Sequence, residues 1–571
     1  MLCFTKLPIV ILHRVLNYLD SYDIFYSLYH LNTRLDEIVN SYSQHRLDFQ
    51  SISMSKFDFI LERINPEKVI SLTLSNMDDT PGQFRLFLKS HSLKQFHHIE
   101  SLQLLQPSNP IDFNQILLQL QANQTLKSLS ILHCPSSAVN PQTFQLLSSF
   151  INNSQTLQRL YLSGTLNSLF EHEFTSSINH LYFNDNIFNT ISLSTITSRT
   201  PHLNSLDTAI THKLQSHPLP FLDYFTHLTL TIFIDMPKFD MENLLKHTPR
   251  LVFLKLIANG KQWFNGQFWE QCLPATLKTF QFNFCTQMNN LNEERILDTF
   301  QTSFWVDVKH WPVILDYQMN PTMLHLYSLP FCDTQFYYRP SIDSNRQFRS
   351  SIPTDRAYMS NVENLTIDLS TLLAETKNLT CDYSIDNSYH YFAKVSTLIL
   401  TDHECHLSMN LLIKFLESIL DFTCVTDLKL GLFHHPQLIH TLYHRMPNLN
   451  YLRITHSLLS NLEDLRFQSI CSLTICDSLT DIERISLLFP QLQYLCVRLT
   501  VFEQIQKVFE HLGRRLRTIT FRHMDVDLQE KTIKWLSSYY GEHRRYSYEL
   551  DQHMDLHIWL GEVRSQQQRS E

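Results

Sequence analysis

The chain has 571 residues, 43% of them apolar and 12% aromatic, enough to bury an extended core and too many for bulk disorder. Its 46 basic against 55 acidic residues leave a net charge of −9, which argues against a nucleic-acid partner held through phosphates. Only eight glycines occur, too dispersed to build a GxGxxG or Walker phosphate loop or a GxSxG elbow.

The first predicted elements lie in LPIVILHRVLNYLDSYDIFYSLYHLNTRLDEIV, Leu7 to Val39. Pro8 stands at an early helical position, where its missing N–H costs nothing. Ile11, Leu12, Val15, Leu16 and Leu19 follow at helical spacing. Asp20 or Ser21 caps a second helix bearing Ile24, Leu28 and Leu31, and Leu35, Ile38 and Val39 mark a third. Three helices of this size bury too little to stand alone. They need the chain that follows, a partner, or both.

Behind them one phrase recurs: apolar-x-x-apolar-x-apolar. It begins with Val69-Leu72-Leu74, Ile99-Leu102-Leu104, Leu126-Leu129-Ile131 and Leu157-Leu160-Leu162, and runs with variations to Leu277-Phe280-Phe282. It resumes at Val362-Leu365-Ile367 and ends at Leu516-Ile519-Phe521. Successive copies stand 21 to 33 residues apart, save one gap of 85. The alternating last positions predict a short strand with one buried face. The intervening stretches carry helical spacing, as in PQTFQLLSSFINN, MNLLIKFLESILDF and VFEQIQKVFEHLG, with Gly513 at a helix stop. Repeats of this period stack, because no single unit buries its own apolar face.

The 85-residue gap holds FWVDVKHWPVILDY, which reads as a hairpin turning at Lys309-His310. MLHLYSLP reads as one degenerate strand, and RPSIDSNRQFRSSIPTDRAYMS as a polar loop. The expected boundaries are a helical unit at 1–48, a first arc at 49–300, an insertion at 301–361, a second arc at 362–562 and a polar tail at 563–571.

The repeated phrase resembles the leucine-rich-repeat family over about residues 66 to 525. The opening residues resemble an F-box: Leu7-Pro8, Ile11-Leu12, Val15-Leu16, Tyr18-Leu19-Asp20, Asp23-Ile24, Leu28, Leu31-Asn32 and Arg34-Leu35 carry the likeness. Ile9-Val10 stand where an acidic residue often follows Leu-Pro, and Leu35 where tryptophan is common. The implied fold class is α/β: a short F-box-like helical unit, then a leucine-rich-repeat solenoid with a mid-array insertion. The implied function is substrate recognition within a cullin–RING ubiquitin ligase. Leu7, Pro8, Ile11, Leu12, Val15, Leu16 and Leu19 would dock on the adaptor subunit by helix-in-groove packing. The alternative is a leucine-rich-repeat interaction scaffold whose N-terminal helices only cap the array.

A target protein would meet the strand positions that alternate with the buried ones. These are Arg159, Tyr161, His180 and Tyr182, then Phe253 and Lys255, then Asp427, Lys429, Tyr451, Arg453 and Tyr494. Aromatic and arginine side chains are common interface anchors. Ser71, Thr73, Ser128, Ser130, Thr518 and Thr520 occupy the same slots and are expected to face solvent.

No catalytic residue, metal ligand or cofactor is expected. His403-Glu404-Cys405-His406 crowds ligand types together without a second pair, and HExxH is absent. The 11 cysteines lack framework spacing and read as buried free thiols, Cys471 and Cys476 included. No apolar run reaches membrane-spanning length. GRRLRTITFR fits a strand better than a DNA-reading helix. The expected setting is cytoplasmic or nuclear, with no nucleic-acid or membrane partner.

Overall fold

A computed structural model describes residues 7–29, 31–184, 193–210, 222–233, 235–287, 293–319, 322–340, 346–352, 357–369, 390–401, 409–431, 436–462, 466–479, 481–540 and 545–561. The protein is mixed α/β, with many parallel strands and helices. It divides into two compact units: residues 1–208, 215–217 and 516–571 form the first, and residues 209–214 and 218–515 the second. This partition cuts across both expected arcs.

The first unit opens with helices α1 (Ile9–Leu16), α2 (Ser21–Ser27) and α3 (Thr33–Ser41). Their starts follow from local chemistry. The Asp20 carboxylate accepts the Asp23 N–H at 2.7 Å, and the Asn32 side chain accepts the Leu35 N–H at 3.0 Å. Leu12 and Leu16 of α1, Ile24 and Phe25 of α2, and Leu35, Ile38 and Val39 of α3 are buried. Strand β1 (His45–Asp48) and helix α4 (Met54–Leu61) follow.

Strands β2 (Val69–Ser75), β3 (Ser101–Leu105), β4 (Ser128–Leu132), β5 (Arg159–Ser163), β6 (His180–Asn184) and β7 (Ser205–Ile210) then add in chain order, each parallel to the last. The register aligns Leu47, Leu72, Leu102, Leu129, Leu160, Leu181 and Leu206 in one row, all buried. Burying a leucine completely is worth roughly 1.5–3 kcal/mol, so this row is a major part of the core.

A hydroxyl stitch reinforces the row. Thr125 donates to the Ile99 carbonyl at 2.9 Å, Thr156 to that of Leu126 at 2.9 Å and Ser177 to that of Leu157 at 3.1 Å. In each case the residue just before one copy's first apolar position bonds the first apolar residue of the copy before. Thr276 and Leu251 repeat the pattern in the second unit at 2.8 Å.

The C-terminal segment supplies three antiparallel strands to the first unit: Thr518–Phe521, Tyr546–Leu550 and Leu556–Leu560. One face of this sheet packs on N-terminal residues. Trp559 meets Phe57 of α4 with ring centroids 5.6 Å apart, and Arg545 pairs with Asp58 at 2.6 Å. The Glu549 carboxylate accepts the Gly82 N–H at 3.2 Å and the Ser108 hydroxyl. Gly82 has φ 72°, and a Cβ there would lie 2.2 Å from the Ser547 hydroxyl, so a side chain would strain the backbone and displace that hydroxyl. Thr518 donates to the Asp79 carbonyl at 3.0 Å, and Thr520 shares a 3.0 Å contact with His557. Thr518 and Thr520 are therefore buried, against the expectation of solvent, because the chain's own N-terminal part covers them.

Burial between Phe25 and Tyr42, with Lys68 nearby, pushes the His45 imidazole down to about 4. Its folded pKa lies below the ordinary 6.5, so the unfolded chain takes up the proton first. The stability contributed by neutral His45 is present above pH 6.5 and is lost as the pH falls toward about 4. Between pH 6.5 and about pH 5 the first unit should lose about 2 kcal/mol more in the wild type than in His45→Gln. Urea titrations at the two pH values check this; equal losses would refute it.

The second unit holds two sheets. His227–Ile232, Phe253–Asn259 and Thr279–Gln287 run parallel. Thr322–Ser328, Val313–Met319 and Arg346–Ser350 continue that sheet antiparallel. The other sheet is parallel: Gln335–Tyr338, Asn364–Asp368, Thr397–Thr401, Asp427–Leu430, Tyr451–Ile454, Ser472–Ser478 and Tyr494–Arg498.

The expected insertion differs in detail. Phe304–Val308 is a short π-helical turn, not the first arm of a hairpin, because Trp305 turns inward against Phe300 with ring centroids 4.8 Å apart. The hairpin forms one run later, between Val313–Met319 and Thr322–Ser328. The expected polar loop includes strand Arg346–Ser350 and the short strand Ala357–Tyr358; its residues 341–345 and 353–356 lie outside the described residues, as does the tail 563–571.

An aromatic cluster consolidates the first sheet. Trp269 stacks on Trp263 (5.7 Å) and Phe284 (5.6 Å), and its indole N–H donates to the Trp263 carbonyl at 2.9 Å. Among the described residues no helix is long and apolar enough to cross a membrane.

Candidate interaction surfaces

The N-terminal helices carry two apolar faces. Leu12 and Leu16 are each 1% exposed and form the inner face of α1. Ile9 is 49% exposed, Val10 67%, Tyr18 90% and Leu31 64%, with Ile11, Leu19 and Tyr26 also exposed. Of the seven expected docking residues, Pro8, Ile11 and Leu19 are exposed, Leu7 and Val15 are half-buried, and Leu12 and Leu16 are sealed inside. Leu31, expected in a helical stripe, lies outside α2 and faces solvent. The expected docking set left out Ile9, Val10, Tyr18 and Tyr26. The run IVI at 9–11 was the available signal: three consecutive apolar residues cannot all fall on one face of a helix.

The helices are braced from below. The Tyr42 hydroxyl donates to Asn17 at 2.7 Å, Arg34 donates to the Leu7 carbonyl at 3.0 Å, and Ser21 donates to the Arg46 carbonyl at 2.8 Å. Tyr22 packs on Phe59 of α4 at 5.8 Å, and the Lys56 ammonium lies 4.0 Å from the Tyr22 ring centre.

On the strand faces, Arg159 and His180 are paired in register and exposed, while Tyr161 and Tyr182 are half-buried with rings 5.7 Å apart. Ser128 is buried and Ser71, Thr73 and Ser130 half-buried, less exposed than expected. In the second unit Phe253 and Lys255 share one strand, and Phe253 stacks on His227 at 5.8 Å. Asp427, Lys429, Tyr451, Arg453 and Tyr494 lie on the other sheet, all half-buried. The register sets Asp427 beside Tyr451 and Lys429 beside Arg453; Tyr494 is reached across Ser472. Arg498, two residues beyond Cys496 on the same strand, extends this surface and was missed.

Cys476 is exposed and Cys471 half-buried, contrary to expectation; Cys476 lies at the end of its strand, past the buried Ile475. Burial pushes the Cys285 thiol up to about 11 and that of Cys332 up to about 12, keeping both protonated. The described cysteines are free thiols.

One buried polar group stands out in the second unit. The Tyr327 hydroxyl lies 2.8 Å from His390 Nε2, which is 3.5 Å from the Asp316 carboxylate. Phe336, Tyr338 and Phe392 wall it in, and all three members are buried. This placement fits a polar tie inside the core rather than a site that admits substrate. Among the described residues no three His, Cys, Asp or Glu side chains converge on a possible metal position, and His403–His406 lies outside them.

The chain matches no known protein-family model. Comparison with curated proteins finds no match either.

Proposed function

We propose that the protein is an interaction protein of the F-box type: its N-terminal helices dock the adaptor of a cullin–RING ubiquitin ligase, and a leucine-rich-repeat solenoid presents a target. The observation that carries this reading is the set of exposed apolar residues Ile9, Val10, Ile11, Tyr18 and Leu19, left uncovered by helices whose Leu12 and Leu16 are already buried. The in-order parallel strands, their leucine row and the hydroxyl stitch support the solenoid reading. Such a protein makes and breaks no bonds. It raises the local concentration of a target lysine near the ligase's charged enzyme.

The burial of Leu12 and Leu16 favours a second reading, in which the helices cap a scaffold with no ligase role. Adaptor binding separates the two. Ile9→Asp combined with Val10→Asp should weaken adaptor binding at least about 100-fold, since two interface anchors each contribute about 2 kcal/mol or more. The circular dichroism of the variant should match the wild type. Leu12→Asp and Leu16→Asp are unsuitable probes, because each buries a charge and disrupts the helices themselves. A wild type that fails to bind the adaptor, or a double variant that binds as well, establishes the scaffold reading instead.

A further inference from the structure

We propose that the face of strands Asp427–Leu430, Tyr451–Ile454, Ser472–Ser478 and Tyr494–Arg498 binds a carboxylate-rich, extended peptide segment of the target protein. The proposal names the target class for the recognition surface inferred above, and rests on that reading.

Three cations share this face. Lys429 and Arg453 are register partners on neighbouring strands, and Arg498 stands opposite Ser478. Among the described residues, none of the three has a carboxylate oxygen within 4.0 Å. The two acids on these strands are engaged locally. The Asp427 carboxylate accepts the Thr426 hydroxyl at 2.5 Å, and that of Asp477 accepts the His456 N–H. Among the described residues Arg453 donates to the Cys476 sulfur at 3.2 Å.

The far end of the same sheet supplies the contrast. There Arg339 is matched by Asp368 at 3.2 Å, and the Tyr337 hydroxyl donates to the same carboxylate at 2.6 Å. Some cations on the helices are matched too, as in Lys246 with Glu242 and Lys534 with Glu530. A chain of net charge −9 has carboxylates to spare, yet among the described residues these three cations, Lys429 and Arg453 half-buried and Arg498 exposed, stand unmatched. Charge complementarity therefore calls for an anionic partner.

The chemistry favours peptide over nucleic acid. Three cations on an acidic protein make a short footprint, not a phosphate-tracking stripe. Tyr451 lies beside them, its ring 5.9 Å from the Lys429 ammonium and its hydroxyl 3.1 Å from Thr474, and offers a flat surface for a side chain. Neighbouring strands lie about 4.8 Å apart and alternate residues of an extended peptide about 6.8 Å, so acids at every second position can reach successive cations.

The test uses the full chain and fluorescence anisotropy with three labelled probes: a twelve-residue Asp-Ser repeat, a Gly-Ser repeat of equal length and a twelve-nucleotide oligothymidylate. The wild type should bind the acidic peptide most tightly, with affinity falling as salt rises. Lys429→Glu combined with Arg453→Glu should weaken that binding at least about tenfold. Lys89→Glu combined with Lys507→Glu makes the same change in net charge on exposed helical positions and should alter it less than about twofold. Lys429→Gln with Arg453→Gln guards against misfolding and should show the same loss in smaller measure. The proposal is overturned if the acidic probe binds no better than the Gly-Ser repeat, if both charge-reversed doubles behave alike, or if the oligothymidylate binds most tightly. Adaptor binding, measured on the same preparations, should be unchanged in all variants. Its failure with peptide binding intact would remove the ligase reading alone.

Discussion

Replacing Trp559 by alanine should destabilise the first unit by about 3–5 kcal/mol, the usual cost of emptying a buried tryptophan site. Trp559 is fully buried against Phe57 of α4, and nearby a Cβ on Gly561 would lie 3.0 Å from the Arg545 carbonyl oxygen. The cavity cannot collapse cheaply, because Arg545 on Asp58 and Glu549 on Gly82 hold the surrounding backbone in place. Trp559→Phe should be far milder. The indole N–H is buried without a hydrogen-bond partner, so losing it removes an unsatisfied group along with some packing. Hydrogen exchange gives the decisive readout. Amides of residues 54–61 should lose protection in the alanine variant and keep it in the phenylalanine one. Full protection in Trp559→Ala would show that the C-terminal strands do not support α4. Because α4 carries Phe59 and Lys56, which brace Tyr22, the same variant should also weaken the proposed adaptor binding without touching the exposed apolar residues.

Trp269→Ala should have a comparable effect on the second unit, again about 3–5 kcal/mol. Here the loss combines stacking on Trp263 and Phe284 with the hydrogen bond to the Trp263 carbonyl, which would be left without that donor. The backbone around it is tight: a Cβ on Gly266 would lie 2.1 Å from the Thr299 carbonyl oxygen. Urea unfolding followed by circular dichroism should show one shifted transition for Trp269→Ala and a different one for Trp559→Ala. A common transition, shifted equally by both, would show that the two units unfold together.

The strands were legible because their leucines recur at fixed offsets, and alternate apolar positions fall on one side of the chain only when the backbone is extended. Lys429, Tyr451 and Arg453 were legible for the same reason, as positions between buried neighbours. Strand Gln335–Tyr338 escaped notice because its copy of the phrase begins with Asp333 where the others place an apolar residue. The antiparallel run of Thr322–Ser328 was readable as a strand but not in its direction, since direction depends on the partner and not on local pattern. Exposure proved hardest. Thr73 and Thr520 occupy equivalent slots, yet one is half-buried and the other buried under His557 and the Asp78–Asp79 segment. Likewise α1 is apolar around most of its circumference, so periodicity alone could not tell which leucines the protein keeps for itself.

Gly82 and Glu549, joined by a hydrogen bond, are 467 residues apart in sequence. At a ribosomal pace of about 5–20 residues per second, the early strands emerge roughly 20–90 s before the segment that seals them. During that interval α4 and the Gly82 turn stand open to water, and the intervening unit must mature while its predecessor is still incomplete. Nascent chains stalled before residue 545 should therefore engage chaperones through α4 and the Gly82 turn, the surfaces that the C-terminal strands later cover.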